Sequence, residues 1–156
     1  MTNVTDLHVR VDTLASTRVA SVRAFGGSPE QEAWQRLREW AEPAGLLEQP
    51  AAHPVFGFNN PPARPGQAEY GYEFWIAVGP DANTPSGIEV KDFPGGRYAV
   101  TSCRVGDVPQ SWKALLRWVH SSDYTWRRSA QELERILNPL ATPNELLLEL
   151  YLPLED

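Results

Sequence analysis

RYAVTSCRVG, residues 97–106, and RVASVRAFGG, residues 18–27, decide how this chain is read. Laid one over the other, they share Arg97 with Arg18, Ala99 with Ala20 and Gly106 with Gly27. At the same offset of 79, Val90 falls on Val11. One residue is then dropped, and an offset of 78 brings Trp112, Leu115 and Trp118 onto Trp34, Leu37 and Trp40. That offset also carries Asn138-Pro139 onto Asn60-Pro61, and Pro143 onto Pro65. Helix stripes and turns force some of these coincidences. A single register held from Trp34 to Pro65 marks an internal repeat, drawn at residues 7–79 and 87–154 of one domain covering 1–156.

Each half reads strand, strand, helix, strand, strand. HVRVDTLASTRVASVRAF gives two strands around Ala15-Ser16. Ser28 suits a helix cap, Pro29 the first turn and Gln31 a capping box, with Trp34, Leu37, Trp40 and Ala41 as the apolar stripe. Residues 54–59 predict a short strand, 60–67 a Pro/Gly loop and 70–79 a strong aromatic strand. The order then restarts. GIEVKDFPGGRYAVTSCRV predicts a hairpin across Pro94-Gly95-Gly96, DVPQSWKALLRWVH a second helix and LLLELYLPL a closing strand. The class is α+β. One helix per half cannot cover both faces of an eight-strand antiparallel sheet. The expectation is therefore a curved sheet with two main helices on one face and a ligand groove on the other, at the seam of the halves.

Bulk properties narrow the function. With 156 residues, 42% hydrophobic residues and six tryptophans, the chain can bury a sizeable core. A net charge of −6, with its cations scattered among acids, argues against direct nucleic-acid binding. The single cysteine, Cys103, forms no internal disulfide and reads as a small buried hydrophobe, which suits a cytoplasmic location. No apolar run is long enough for a membrane span or signal segment. His8, His53 and His120 have no metal-ligand spacing, and nucleotide fingerprints and nucleophile elbows are absent, so neither metal nor cofactor is expected.

The order of VASVRAFGG, YGYEFWIAVG, FPGGRYAV and ELERILNP, followed by an apolar strand, resembles the GyrI-like or AraC-type effector-binding (multidrug-binding) domain family over nearly the whole chain. That resemblance implies a small-molecule binding protein whose pocket takes bulky, flat, lipophilic and often cationic aromatic compounds. It also implies an acidic pocket residue in a phrase usually shaped Phe-Glu-x-Tyr-Leu-x-x-Pro. Here the phrase runs from Leu133 to Pro139 and puts Glu134 at the acidic position, with Ile136 where the family often has Tyr. Relatives that hydrolyse cyclopropane-bearing DNA-alkylating compounds imply an enzymatic alternative with Glu134 as the catalytic base. Relatives that inhibit DNA gyrase imply a protein–protein module as a second alternative, its partner unknown.

At the 78 offset Glu134 lies over Phe56 and Ile136 over Phe58, so one half offers rings where the other offers a charge. An organic cation would offset the desolvation of such a carboxylate, and rings would add cation–π attraction. The same residues also read as a helix. Ser129 and Glu132 fit a capping box, and Leu133, Ile136, Leu137 and Leu140 fit a helical stripe that would leave Glu134 exposed. In the strand over 70–79, alternation puts Tyr70, Tyr72, Phe74, Ile76 and Val78 on one face. Glu73 and Trp75 share the other, either as a second acid–aromatic pair in the groove or as a solvated face. Tyr98 is either pocket wall or core, Trp112 either packing or pocket rim, and Tyr124 and Trp126 either packing or a lid.

Overall fold

The computed structural model describes residues 7–156, so the first six residues of the expected domain lie outside the described ones. The class is α+β. The strands are β1 (Arg10–Leu14), β2 (Thr17–Gly26), β3 (Val55–Asn59), β4 (Tyr70–Val78), β5 (Glu89–Phe93), β6 (Gly96–Arg104), β7 (Leu133–Ile136) and β8 (Leu147–Leu154). The two main helices are α1 (Pro29–Ala41) and α2 (Val108–His120). The chain divides into two compact units, Thr17–Phe93 and residues 7–16 with Pro94–Asp156.

In the first unit the antiparallel strand order is β3, β4, β2, β5, with α1 packed on β2 and β4. Ala20, Val22 and Ala24 pair with Ile76, Phe74 and Tyr72 and turn toward α1, whose Trp34 ring lies 5.2 Å from that of Phe74. The buried row of α1 is Pro29, Ala33, Leu37 and Ala41, an i, i+4 ridge whose small residues let the helix come close to the sheet. Trp34 and Trp40, expected in the stripe, flank that ridge half-buried. Ser28 precedes α1 but makes no side-chain cap; Glu30 instead accepts the Tyr70 hydroxyl at 2.8 Å, which ties helix to sheet and pushes the phenol up to about 12.

In the second unit the order is β1, β6, β8, β7, with α2 packed on β6 and β8. Its core joins Leu115 and Val119 of α2 to Ala99, Leu150, Leu152 and Leu154 of the sheet. Residues 133–136 are strand, paired to β8. The capping-box and stripe pattern there yields to pairing with β8, which buries Leu133 on one face and Ile136 on the other.

The hairpin expected across Pro94-Gly95-Gly96 does not form. β5 pairs with β2, and β6 pairs with β1 and β8. Each long strand therefore takes as neighbour the short strand that precedes the other long strand in sequence, so the compact units do not follow the boundaries 7–79 and 87–154. The local reason lies at the linkers. Pro94 has no N–H to donate, and Gly95 sits at φ 74 against Leu14 and Ala15, where a Cβ would overlap the Leu14 carbonyl. Gly95→Ala should thus cost about 1–3 kcal/mol, while Gly27→Ala, with nothing near its Cβ, should stay within about 0.5 kcal/mol. Urea denaturation of the two variants checks this; equal midpoints would discard the crossing constraint.

Candidate functional site

In the first unit, the face of the sheet turned away from α1 carries a buried carboxylate. Glu73 is 1% exposed. Its Oε2 accepts Ser21 Oγ at 2.7 Å, Trp75 Nε1 at 2.6 Å and Lys91 Nζ at 2.9 Å, and its Oε1 accepts Asn60 Nδ2 at 2.9 Å. The register explains the gathering. Phe58 is paired with Glu73 across β3 and β4, Phe56 and Ser21 both face Trp75, and Lys91 and Phe93 project to the same side from β5. Around the carboxylate, Trp75 lies edge-on to Phe58 at 4.7 Å and 5.4 Å from Phe93, and Phe56 lies 6.1 Å from Phe93. Burial works against the Glu73 charge, but the bonds from Lys91, Ser21, Asn60 and Trp75 outweigh it and hold its pKa below the usual carboxylate range. A cavity of about 300 Å³ opens beside it, lined by Ser21, Arg23, Arg36, Asn60, Glu73, Gly87, Glu89 and Lys91.

The second unit builds a related cluster on its face away from α2. Glu149 accepts Arg10 at 2.7 Å and the Tyr151 hydroxyl at 3.0 Å, with Arg135 at 4.0 Å. Burial raises its pKa, but Arg10 and Tyr151 hold it below the usual range. Tyr98 is buried on this face, its ring 5.7 Å from Tyr151, and burial pushes its phenol up.

Glu134 goes elsewhere. It pairs with Leu150, a core residue beneath α2, and accepts Trp112 Nε1 at 3.1 Å, so it lies on the helix-covered face of its sheet. Ile136, paired with Leu148, shares that face. The strand pairings show why the register misled. Phe56 pairs with Trp75 as Leu133 pairs with Tyr151, so β7 follows β3 by 77 places (133 less 56), one fewer than the 78 used for the helices. A slip of one residue in a strand exchanges its faces. Glu134 thus corresponds to Gly57, not Phe56.

The Tyr124 and Trp126 segment is packed in place. Both rings join the α2 core, Tyr124 stacks on Trp118 at 6.1 Å, Trp126 bridges to Leu154, and Arg127 N–H and Glu155 N–H close main-chain bonds around it. Ser21, Asn60, Lys91, Phe93, Arg10, Arg135, Glu149 and Tyr151 were not singled out from sequence. One signal for some of them was present: Glu73-Phe74-Trp75 and Glu149-Leu150-Tyr151 are the same Glu-x-aromatic phrase, 76 places apart (149 less 73). In each, the ring two residues on returns a hydrogen bond to the carboxylate. Among the described residues no group of three or more His, Cys, Asp or Glu side chains is placed to hold a metal, and no helix is long and apolar enough to cross a membrane. Burial pushes the Cys103 thiol up, away from thiolate chemistry.

Both carboxylates titrate lower in the folded chain than in the unfolded one. Their stabilisation is complete above the unfolded value of about 4.3 and is lost as pH falls through the folded values. Glu73→Gln should cost about 1–3 kcal/mol at pH 7 and flatten the acid limb of the stability curve. Denaturation midpoints measured from pH 7 to pH 3 give both quantities; a slope unchanged by the substitution would mean Glu73 is not ionised in its cluster.

The fold is shared with the EcmrR C-terminal domain, at 14% identity and a TM-score of 0.67, covering 97% of this chain and 99% of that one. Against the longer EcmrR chain in its DNA complex, this chain spans 58% of the length, at 13% identity and a TM-score of 0.67 over 96% of its own residues. SAV2435 bound to tetraphenylphosphonium superposes with a TM-score of 0.59 at 18% identity, covering 95% of this chain and 94% of that one. A hydrolase encoded by lin2189 from Listeria innocua does so with a TM-score of 0.66 at 12% identity, covering 94% and 91%. No curated protein matches the sequence. The model of one family, described as the GyrI-like small molecule binding domain, matches residues 8–155, and the chain belongs to that family.

Proposed function

We propose that the chain binds flat, lipophilic aromatic small molecules on the face of its first unit that carries Glu73, Phe58, Trp75 and Phe93. The observation that carries this reading is the half-buried Trp75, whose ring touches Phe58 and Phe93 and whose indole N–H holds the carboxylate at 2.6 Å. A planar ligand gains offset or edge contacts with these rings, about 0.5–1.5 kcal/mol each beyond area burial. The fixed polar group beside them orients it. Phe56 lies 6.1 Å from Phe93, and Phe56, Phe58 and Phe93 are all buried, which leaves Trp75 as the half-buried ring of the group.

A cationic centre is the other half of the expectation drawn from the family, and the tetraphenylphosphonium bound to SAV2435 is such a cation. Here Lys91 already meets the Glu73 charge, so the reading rests on the rings. Sequestration or sensing follows more directly than turnover. A general base works best with a pKa near the working pH, and Glu73 is held well away from it by four donors. Glu134, the base of the hydrolytic alternative, sits under α2 bonded to Trp112.

Titration of intrinsic tryptophan fluorescence with a panel of planar polycyclic compounds tests the proposal. Saturable quenching at micromolar concentration is expected, weakened at least tenfold by Trp75→Ala and unchanged by Trp40→Phe on α1. A panel that fails to quench at its solubility limit, or equal affinity for the Trp75→Ala protein, rejects it.

A further inference from the structure

The polar cavity beside Glu73 says what charge the ligand carries. Glu73 receives three donors at Oε2 and one at Oε1, so of its roughly four acceptor sites only the second one on Oε1 remains for a ligand N–H. Its charge is met by Lys91, whose ammonium lies 2.9 Å away on a side chain 40% exposed. The rest of the lining is rich in donors. Arg23 gives one N–H to the Asn60 carbonyl at 3.1 Å. Arg36 bonds the Arg23 carbonyl at 3.1 Å and the Gly87 carbonyl at 3.2 Å. A guanidinium has five N–H groups, and the ammonium of Lys91 has three, so these contacts use only part of the donors around the cavity. Formal charges of the lining are three positive (Arg23, Arg36, Lys91) and two negative (Glu73, Glu89).

We infer that the cavity takes the acceptor head group of an aromatic ligand, a carboxylate above all, and that Lys91 is the residue that turns cations away. The inference rests on the small-molecule reading of this face and specifies its ligand class. Lys91 stands where a ligand's positive charge would otherwise go. A cation entering the cavity must displace Lys91 from Glu73 or sit among three positive side chains with only Glu89 to offset them. A carboxylate gains charge-assisted bonds from Lys91 and the two guanidinium groups while the ring lies along Trp75. Specificity then comes from a repulsive element as much as from an attractive one.

Three probes with one ring system separate the possibilities: 2-naphthoate, 2-naphthylmethanol and (2-naphthylmethyl)trimethylammonium, titrated by calorimetry into the wild-type chain and Lys91→Met. For the wild type the expected order is carboxylate, then alcohol about tenfold weaker, then ammonium weakest. In Lys91→Met the Glu73 charge is uncovered, and the ammonium should gain at least tenfold while the carboxylate loses as much. Lys91→Gln keeps a donor toward Glu73 and should shift the order the same way by less; it replaces the Met variant if that one does not fold. Wild-type affinity for the ammonium equal to or above that for the carboxylate overturns the charge assignment and leaves the small-molecule reading standing. Binding of none of the three probes to the wild type or to a folded Lys91 variant rejects both.

Discussion

A carboxylate withdrawn from water on β4 sets the terms for the first unit. Desolvating an ion costs several kcal/mol even after relaxation, and the penalty is met only where geometry and hydrogen bonds are nearly complete. The donors that complete Glu73 come from every strand of the unit: Ser21 on β2, Asn60 immediately after β3, Trp75 on β4 itself and Lys91 on β5. The charge thereby acts as a cross-sheet staple, and a change of register in β2 or β5 would remove one of its donors. Glu149 does the same in the other unit, with Arg10 from β1, Tyr151 from β8 and Arg135 approaching from β7. A network of this kind specifies one arrangement more firmly than apolar packing alone, because partial satisfaction is penalised.

Element types were largely legible because they rest on local signals. Alternation in YGYEFWIAVG placed Phe74 toward the helix and Glu73 with Trp75 away from it, as the pairings have it. Pairing was less legible. The short strands before Ala15-Ser16 and before Pro94 look like hairpin arms, since hairpins are the commonest use of such spacing. Instead, close passage of Gly95 against Leu14 lets the two linkers cross. Nothing local to either linker encodes a crossing that depends on both.

The correspondence of Glu134 with Phe56 failed for a sharper reason. Helix positions tolerate an offset error of one residue with a shift of about 100° around the axis, whereas strand positions convert the same error into a full change of face. An offset anchored on Trp112, Leu115 and Trp118 is one residue too long for β7. The Asn-Pro match that helped extend it shows how identity can mislead. Asn60 reaches Glu73, while Asn138 bonds the Glu145 carbonyl and the Leu147 N–H at the start of β8. The phrase with the sounder correspondence was Glu-x-aromatic, because residues two apart in a strand share a face whatever the offset.

A family's binding chemistry can persist while its preference changes. A buried acid on a strand needs a partner, and the partner can be the ligand or a resident side chain. Where the ligand supplies the charge, the empty site holds an under-satisfied carboxylate that gains most from a cation. Where Lys91 supplies it, the empty site is already satisfied, and a cation must compete with an ammonium held nearby at high effective concentration. On the proposed reading the rings are indifferent to that exchange: Phe58, Trp75 and Phe93 meet either kind of ligand alike, and one substitution on an edge strand moves selectivity without disturbing the aromatic wall.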